Sequence, residues 1–364
     1  MVKKDRLIEL FLELVRIDSP SKAEGQIAQR LVKELKALGL SVKQDQAGNI
    51  IALLKGTLLR GKTILLNAHM DTVAPGENIK PLLKGERITS DGSSILGADD
   101  KAGIAVIIEL LRILKENHVP HGDIKVIFTV EEEIGLLGAK KLANKDVEAD
   151  YCFVLDADGV VGTVINKGPA QDTLEVKIKG RPAHAGICPE KGISAIQIAA
   201  KAIAGMKLGR LDSESTANIG MIQGGTATNI VPEEVVVRGE ARSHSEEKLR
   251  KQVEHMRARF RKAAEQAGGK VEISVTRAYD KVHVPNNSQI VQLTRAVAGK
   301  IGLKSRVLSS GGGSDASIIY GLGVPTVAIG IGMENVHSKS EYIRIKDLHN
   351  AARYVLALVQ EASK

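Results

Sequence analysis

Tryptophan is absent from this 364-residue chain, and five tyrosines and four phenylalanines bring aromatic content to only 2%. Ile, Val, Leu and Ala must therefore fill the core, and platforms on which unpaired bases could stack are scarce, which argues against a single-stranded nucleic acid partner. Cysteine is nearly missing: Cys152 and Cys188 make neither a disulfide framework nor a zinc knuckle, a usage typical of reducing compartments. No segment of about 18 consecutive apolar residues occurs, so no membrane-crossing helix is expected. The opening Met-Val-Lys-Lys-Asp-Arg runs straight into an amphipathic helix rather than a signal sequence. A cytoplasmic protein without a membrane partner is the expectation.

What is present is 43% hydrophobic and 26% charged residues, enough for a large core, over a length that suggests two domains. The net charge of +8 raises the question of nucleic acid, but the basic residues are scattered among 43 acidic ones. The densest basic run, residues 257–262, lies on an amphipathic helix whose solvated face explains it. No nucleic acid partner is expected.

Apolar residues recur at helical spacing over residues 4–17 and 21–38, and short strands are expected at 41–46 and 49–54 before a buried strand at 62–67. Residues 74–92, rich in Pro, Gly and charge, read as a long loop of the kind that is usually functional. A strongly apolar helix over 100–114 and buried strands at 123–129 and 151–155 follow. This alternation implies an α/β layer architecture with a mixed, largely parallel sheet, whose ligands gather at the carboxyl ends of the strands. After residue 168 the period changes to strict alternation at 173–179, 217–222, 235–242 and 271–276, with helices over 193–206 and 244–267, the pattern of an antiparallel sheet with one covered face. The βα pattern then resumes with a helix over 288–301, a strand over 325–329 and a last helix over 345–359. The domains expected are a discontinuous one, 1–168 plus 281–364, and an inserted α/β sandwich, 169–280. Two crossings, at 166–168 and 279–283, would let the insert hinge on the first domain.

Chemistry-bearing residues collect at the strand ends. In Lys62-Thr-Ile-Leu-Leu-Asn-Ala-His69-Met-Asp71, strand alternation points residues 69 and 71 to one side, the geometry of a metal-bound imidazole held by a carboxylate. His-x-Asp alone is a weak signal. Three later clusters strengthen it: Gly97-Ala-Asp99-Asp100-Lys101, Thr129-Val-Glu131-Glu132-Glu133-Ile-Gly135 and Asn335-Val-His337-Ser-Lys. Three adjacent glutamates repel one another unless a cation neutralises some of them. His69, Asp99, Glu133, Asp156 and His337 are the candidate ligands, a set that suits two zinc, cobalt or manganese ions bridged by one carboxylate. Asp100 competes with Asp99, which would then be a helix cap, and Asp158 competes with Asp156.

Taken together, His69-x-Asp71, Gly-x-Asp99-Asp-Lys, Glu132-Glu133, Leu155-Asp156 and the late His337 resemble the M20 family of di-zinc metallopeptidases, and within it the aminotripeptidase (peptidase T) branch, over essentially the whole chain. The resemblance implies that His69, Asp99 and Asp156 hold one Zn2+ and Asp99, Glu133 and His337 the other. It implies further that Asp71 orients His69, that Glu132 is the general base acting on a water between the metals, and that the Asp99–Asp100 peptide is cis. His184, in Ala183-His184-Ala-Gly186, matches the family's oxyanion donor, and Asn229 and Arg242 match its substrate-carboxylate binders. Gly311-Gly312-Gly313, with Gly312 at its centre, would bring backbone close to substrate or would simply form a helix-entry loop capped by Ser314. The implied activity is hydrolysis of short peptides, releasing N-terminal residues from tripeptides, by a homodimer joined through the inserted domain. The alternative is an N-acyl-amino-acid deacylase or a glutamate-type carboxypeptidase of the same family.

Overall fold

The computed structural model describes all residues, Met1–Lys364. Its main sheet has nine strands, ordered Ser41–Gln44, Ile50–Leu54, Ile124–Thr129, Ile64–His69, Tyr151–Ala157, Thr326–Gly330, Thr163–Gly168 and Val282–His283, with Arg306–Ser309 alongside Thr163–Gly168. The four central strands, from Ile124–Thr129 to Thr326–Gly330, run parallel, and antiparallel pairs flank them. Ile64 pairs with both Ile124 and Tyr151, and His69 pairs with Thr129, so neighbouring strands deliver their carboxyl ends to one edge.

Burial on both faces explains why the central strand is a continuous apolar run rather than an alternating one. Ile64, Leu66 and Ala68 pack into the larger core with helices Lys4–Val15, Gly25–Ala37, Ala98–Glu116 and Ile345–Ala362, while Leu65 packs into a smaller cluster with Cys152, Val154 and Ile319 on the other face. Helix Ala98–Glu116 is buried all round through its first turns, Lys101 and Glu109 included. Glu109 is neutralised by a two-pronged pair with Arg6, whose Nε and Nη2 donate at 2.7 and 2.9 Å.

The chain divides into two compact units: Met1–Lys167, Val282–Ser309 and Ser314–Lys364 form the first, and Gly168–Lys281 with Ser310–Gly313 the second. The second holds a five-stranded antiparallel sheet, ordered Gly209–Arg210, Ser215–Gly224, Glu234–Ser243, Ala170–Lys179 and Lys270–Tyr279. Helices Ala195–Ala204 and Glu246–Ala267 cover one face, where Val176, Ile178, Val235 and Val237 meet Ile198 and Phe260. Ser194 and Ser245 cap the two helices, and Gly268, at φ 72°, ends the second in the left-handed conformation that favours glycine.

Three details depart from the sequence reading. Residues 310–313 belong with the second unit, so the chain crosses between units at four places rather than two. The reason is Gly313: its N–H donates to the Tyr279 hydroxyl at 3.0 Å, and a Cβ on it would lie 2.4 Å from the Tyr279 ring. The expected loop at 74–92 contains a hairpin, Leu82–Lys84 and Arg87–Thr89, in a four-stranded sheet with Tyr342–Arg344 and Met333–Glu334. Only Ile88 of its six strand residues is buried, against Ile343, so almost no alternation signals it. Strands Thr163–Gly168 and Arg306–Ser309 were also unmarked by pattern, whereas Ser314 caps helix Asp315–Gly321 as the helix-entry reading of the glycine run expects.

Candidate metal centre and active site

The carboxyl edge of the parallel strands gathers the charged motifs of the first unit. His69 ends its strand 2% exposed. Its Nε2 lies 2.9 Å from Asp99 Oδ1 and 3.7 Å from Asp156 Oδ1, while its Nδ1 faces the main-chain carbonyl of Asp71 at 2.9 Å and the Asp71 carboxylate at 3.5 Å. His337 Nε2 lies 3.2 Å from Asp99 Oδ2 and 2.9 Å from Glu133 Oε1. The two oxygens of Asp99 thus face two different imidazoles. Ligand atoms fall into three overlapping groups, each within 4.8 Å: His69 with Asp99 and Asp156, Asp99 with Glu133 and His337, and His69 with Glu132 and Glu133.

Both paired aspartates are sorted by geometry. Asp100 turns away: Oδ2 accepts the His69 N–H at 3.3 Å and Oδ1 accepts the Gly103 N–H at 3.2 Å. The Asp99–Asp100 peptide is cis, and Asp99 and Asp100 depart from helical φ/ψ inside the first turn of their helix. Asp156 joins the cluster, whereas Asp158 is exposed and joins none of the three groups.

The Asp71 carboxylate does more than face His69. Oδ1 accepts the Glu132 N–H at 2.9 Å, and Oδ2 accepts the Glu133 N–H at 3.2 Å and the Ser21 hydroxyl at 2.7 Å. It thereby ties the turn bearing the glutamates to the end of the central strand. Glu24 holds the same turn from the other side by accepting the Glu131 N–H at 3.0 Å.

Charge in this cluster is unbalanced. Carboxyls of Asp71, Asp99, Asp100, Glu132, Glu133 and Asp156 surround two imidazoles. Burial alone would depress His69, but Asp156, Asp71 and Asp99 raise it well above the usual imidazole range. Hydrogen bonds that its ring donates to the Asp99 and Glu133 carboxylates push His337 up to about 10. Burial would raise Asp99, yet its contacts to His337 and His69 hold it below the ordinary carboxylate range. Burial pushes Asp156 up to about 7, with the Asp99 and Glu133 charges adding to it despite the His69 contact. Glu132 is pushed well above its usual range by burial and then by the charge of Asp156. Nitrogen and oxygen donors carrying surplus negative charge, buried around His69 and open to solvent at His337, are the chemistry that divalent zinc, cobalt or manganese satisfies.

A model of peptidase family M20/M25/M40 matches residues 65–361. The chain belongs to this family. It is 46% identical to the uncharacterized protein YqjE of Bacillus subtilis, covering 100% of both chains. The crystal structure of aminopeptidase PepT from Bacillus cereus is 44% identical, with a TM-score of 0.89 and 100% of both chains covered. The crystal structure of a tripeptidase from Staphylococcus aureus is 42% identical, with a TM-score of 0.93 over 100% of this chain and 99% of that one. An M20 peptidase is a hydrolase of peptide bonds, and the mixed, largely parallel sheet with a separate antiparallel sheet is the architecture of these relatives.

The remaining residues expected at the M20 site lie in the second unit. His184 and Asn229 are exposed neighbours: residue 184 bridges to 230, and the Ala185 N–H donates to the Asn229 carbonyl at 2.9 Å. His184 Nδ1 accepts the Gly186 N–H at 3.2 Å, which leaves the proton of a neutral ring on Nε2. Arg242 is less free than the sequence implies. Its Nε and Nη2 donate to Glu240 at 2.8 and 3.0 Å, and Gln171 donates to the same carboxylate at 2.8 Å. Nη1 is left toward Gly312, whose added Cβ would sit 3.6 Å from it.

Sequence reasoning missed Ser21, Glu24, Asp315 and Glu341. Asp315 is buried, accepts from Asn67 at 3.3 Å and from Thr129, and stands behind the site with one oxygen unpartnered. None of the four lies within a strand-end motif, so only the serine-aspartate at the end of the glycine run offered a local signal for any of them.

Proposed function

We propose that this M20 peptidase is an aminopeptidase that releases the N-terminal residue from short peptides, tripeptides above all, with two divalent metal ions, zinc first and cobalt or manganese as substitutes. The observation that carries the reading is the Asp99 carboxylate, shared between the His69 and His337 imidazoles with Glu132 in the adjoining group. The 44% and 42% identity to an aminopeptidase and a tripeptidase supports the choice of substrate.

His69, Asp99 and Asp156 would hold one ion, and Asp99, Glu133 and His337 the other. When bound, such ions act as Lewis acids that polarise a carbonyl and acidify water. Glu132 accepts a proton from the water as its oxygen bonds to the scissile carbonyl carbon, then delivers that proton to the amine as the C–N bond breaks. Asp71 holds the turn from which Glu132 and Glu133 project, as well as facing the His69 ring. His184 offers Nε2–H to the carbonyl oxygen as charge develops there. Asn229 and the Nη1 side of Arg242, beside Gly312, bind the far carboxylate of the peptide, with Glu240 fixing the guanidinium plane.

A homodimer is part of the proposal. Only Gly209–Arg210 pairs with the outer edge of Ser215–Gly224, opposite 216–217, and Met221 beyond it is 56% exposed, so that edge is open to a second copy. Two unpaired cysteines, one buried, support a cytoplasmic setting. Turnover of tripeptides, dipeptides and N-acyl amino acids by protein loaded separately with Zn2+, Co2+ and Mn2+ tests the assignment. Tripeptides with a free N-terminus should be cleaved best. Preference for acyl amino acids, or release from the carboxyl end, would transfer the chain to a deacylase or carboxypeptidase.

A further inference from the structure

The turn that leads into helix Ala98–Glu116 has no acceptor of its own: Gly97, at φ 71°, has no side chain, and Asp100 caps the regular helix that follows by accepting the Gly103 N–H, so the N–H groups before it need acceptors from elsewhere. One carboxylate meets this need from 242 residues away. Glu341, 1% exposed, accepts the N–H groups of Leu96 and Gly97 on Oε2, both at 2.8 Å, and the N–H of Asp99 on Oε1 at 3.1 Å. No lysine, arginine or histidine forms an ion pair with it, and its partners are all main-chain amides.

The placement of Glu341 gives this clamp its consequence. It stands four residues after His337 in a loop tied to itself: the Ser338 hydroxyl donates to the Asn335 carbonyl at 2.7 Å, and the Glu341 N–H donates to the Ser338 carbonyl at 3.0 Å. The same loop thus presents His337 and grips the turn that presents Asp99. The side chains of those two residues meet at 3.2 Å. Asp99 itself belongs to two of the three groups of candidate ligands, one with each imidazole.

We propose that Glu341 is a positioning residue of the metal centre, setting Asp99 through its backbone and coupling it to the His337 loop, so that loss of its carboxylate weakens both metal ions together. This rests on the dinuclear reading above. Groups that orient metal ligands without touching the metal are typically worth about 10- to 100-fold in metal affinity. A carboxylate offers acceptors on both oxygens, whereas an amide offers one oxygen and turns an N–H2 toward backbone donors. Glu341→Gln keeps the size of the side chain and removes one of its two accepting oxygens.

The test is a competition titration of metal-free wild type, Glu341→Gln, Glu341→Asp and His337→Ala with Zn2+ against a chromophoric chelator. Visible absorption after Co2+ loading and thermal melting of each metal-free protein accompany it. Wild type should take up two ions, and Glu341→Gln should lose about 10- to 100-fold in affinity for both. Its Co2+ spectrum should change while metal-free melting shows a cooperative fold. Glu341→Asp, which keeps the charge, should recover part of the loss, and His337→Ala should lose one ion selectively. Wild-type affinity in Glu341→Gln, or a loss confined to one ion, overturns the clamp while the dinuclear reading stands. Failure of both Glu341 variants to fold without metal overturns it as well, making Glu341 a general stability element. Wild type that binds no pair of ions removes the dinuclear reading and the clamp with it.

Discussion

Glu132 differs from Glu133 in what its loss should do, although the two are adjacent. Glu132→Gln should retain both metal ions and lose about 10²–10⁴-fold in kcat, because an amide cannot accept the water's proton. Metal analysis alongside steady-state kinetics checks this, and near wild-type turnover removes the base assignment. His184→Ala should lower kcat by about 10²–10³-fold with a smaller effect on KM, since its hydrogen bond strengthens only as the oxyanion forms. Equal changes in both parameters would place His184 in ground-state binding instead. pH should reveal the unbalanced charge directly. In metal-free protein the proton affinity of Asp156 is raised to about 7 by burial and by the Asp99 charge. The stability linked to that shift is complete below about pH 4 and lost as pH rises through 7. His337, raised to about 10 by Asp99 and Glu133, adds a contribution that is likewise lost on going alkaline. Thermal melts of the metal-free protein should therefore show a falling melting temperature from about pH 5 to about pH 8. The gain on adding zinc should grow over the same range, because the ligands must shed protons to bind.

At the scale of elements, helix Ala98–Glu116 shows how a buried charge is accommodated. Glu109 faces the core but accepts from Arg6 twice and from the Lys3 N–H at 3.2 Å. Arg6→Ala should cost about 3–5 kcal/mol, because it leaves the fully buried Glu109 carboxylate without its cation, measured by denaturant unfolding of the metal-free protein. A cost below about 1 kcal/mol would mean that water replaces the guanidinium. The glycine run is a second case. It was legible as a loop with a serine cap, but its third glycine is needed because Tyr279 lies where a side chain would go. Hairpin Leu82–Lys84 and Arg87–Thr89 escaped notice for the opposite reason: a strand with one buried residue has no period to read.

For the whole molecule, the open edge of Ser215–Gly224 predicts assembly. Light scattering at micromolar concentration should give twice 38.9 kDa, and Met221→Lys on that strand should shift the mass toward the single chain. A mass of 38.9 kDa for the unaltered protein would refute the dimer. The division into two units was visible in the change from a buried, mixed pattern to strict alternation near residue 168. The return of residues 310–313 to the second unit was not, since it depends on Tyr279 and Gly313 meeting across the chain.

The sequence by itself determined the elements and their chemistry. Helical and two-residue periods are local properties, so the central strand, the apolar helix after it and the alternating strands of the second unit could be read from the residues alone. His69, Asp71, Glu132, Glu133 and His337 stood out because each sits where such a period stops. Tertiary structure decided which of two adjacent aspartates faces both imidazoles, which aspartate after Leu155 joins them, that Glu240 occupies most of the Arg242 fork, and that Glu341 holds the Asp99 turn. The reason is range. Periodicity is set within one element by backbone geometry, whereas a contact between residues 242 apart exists only once the order and register of the strands have brought their ends to the same edge.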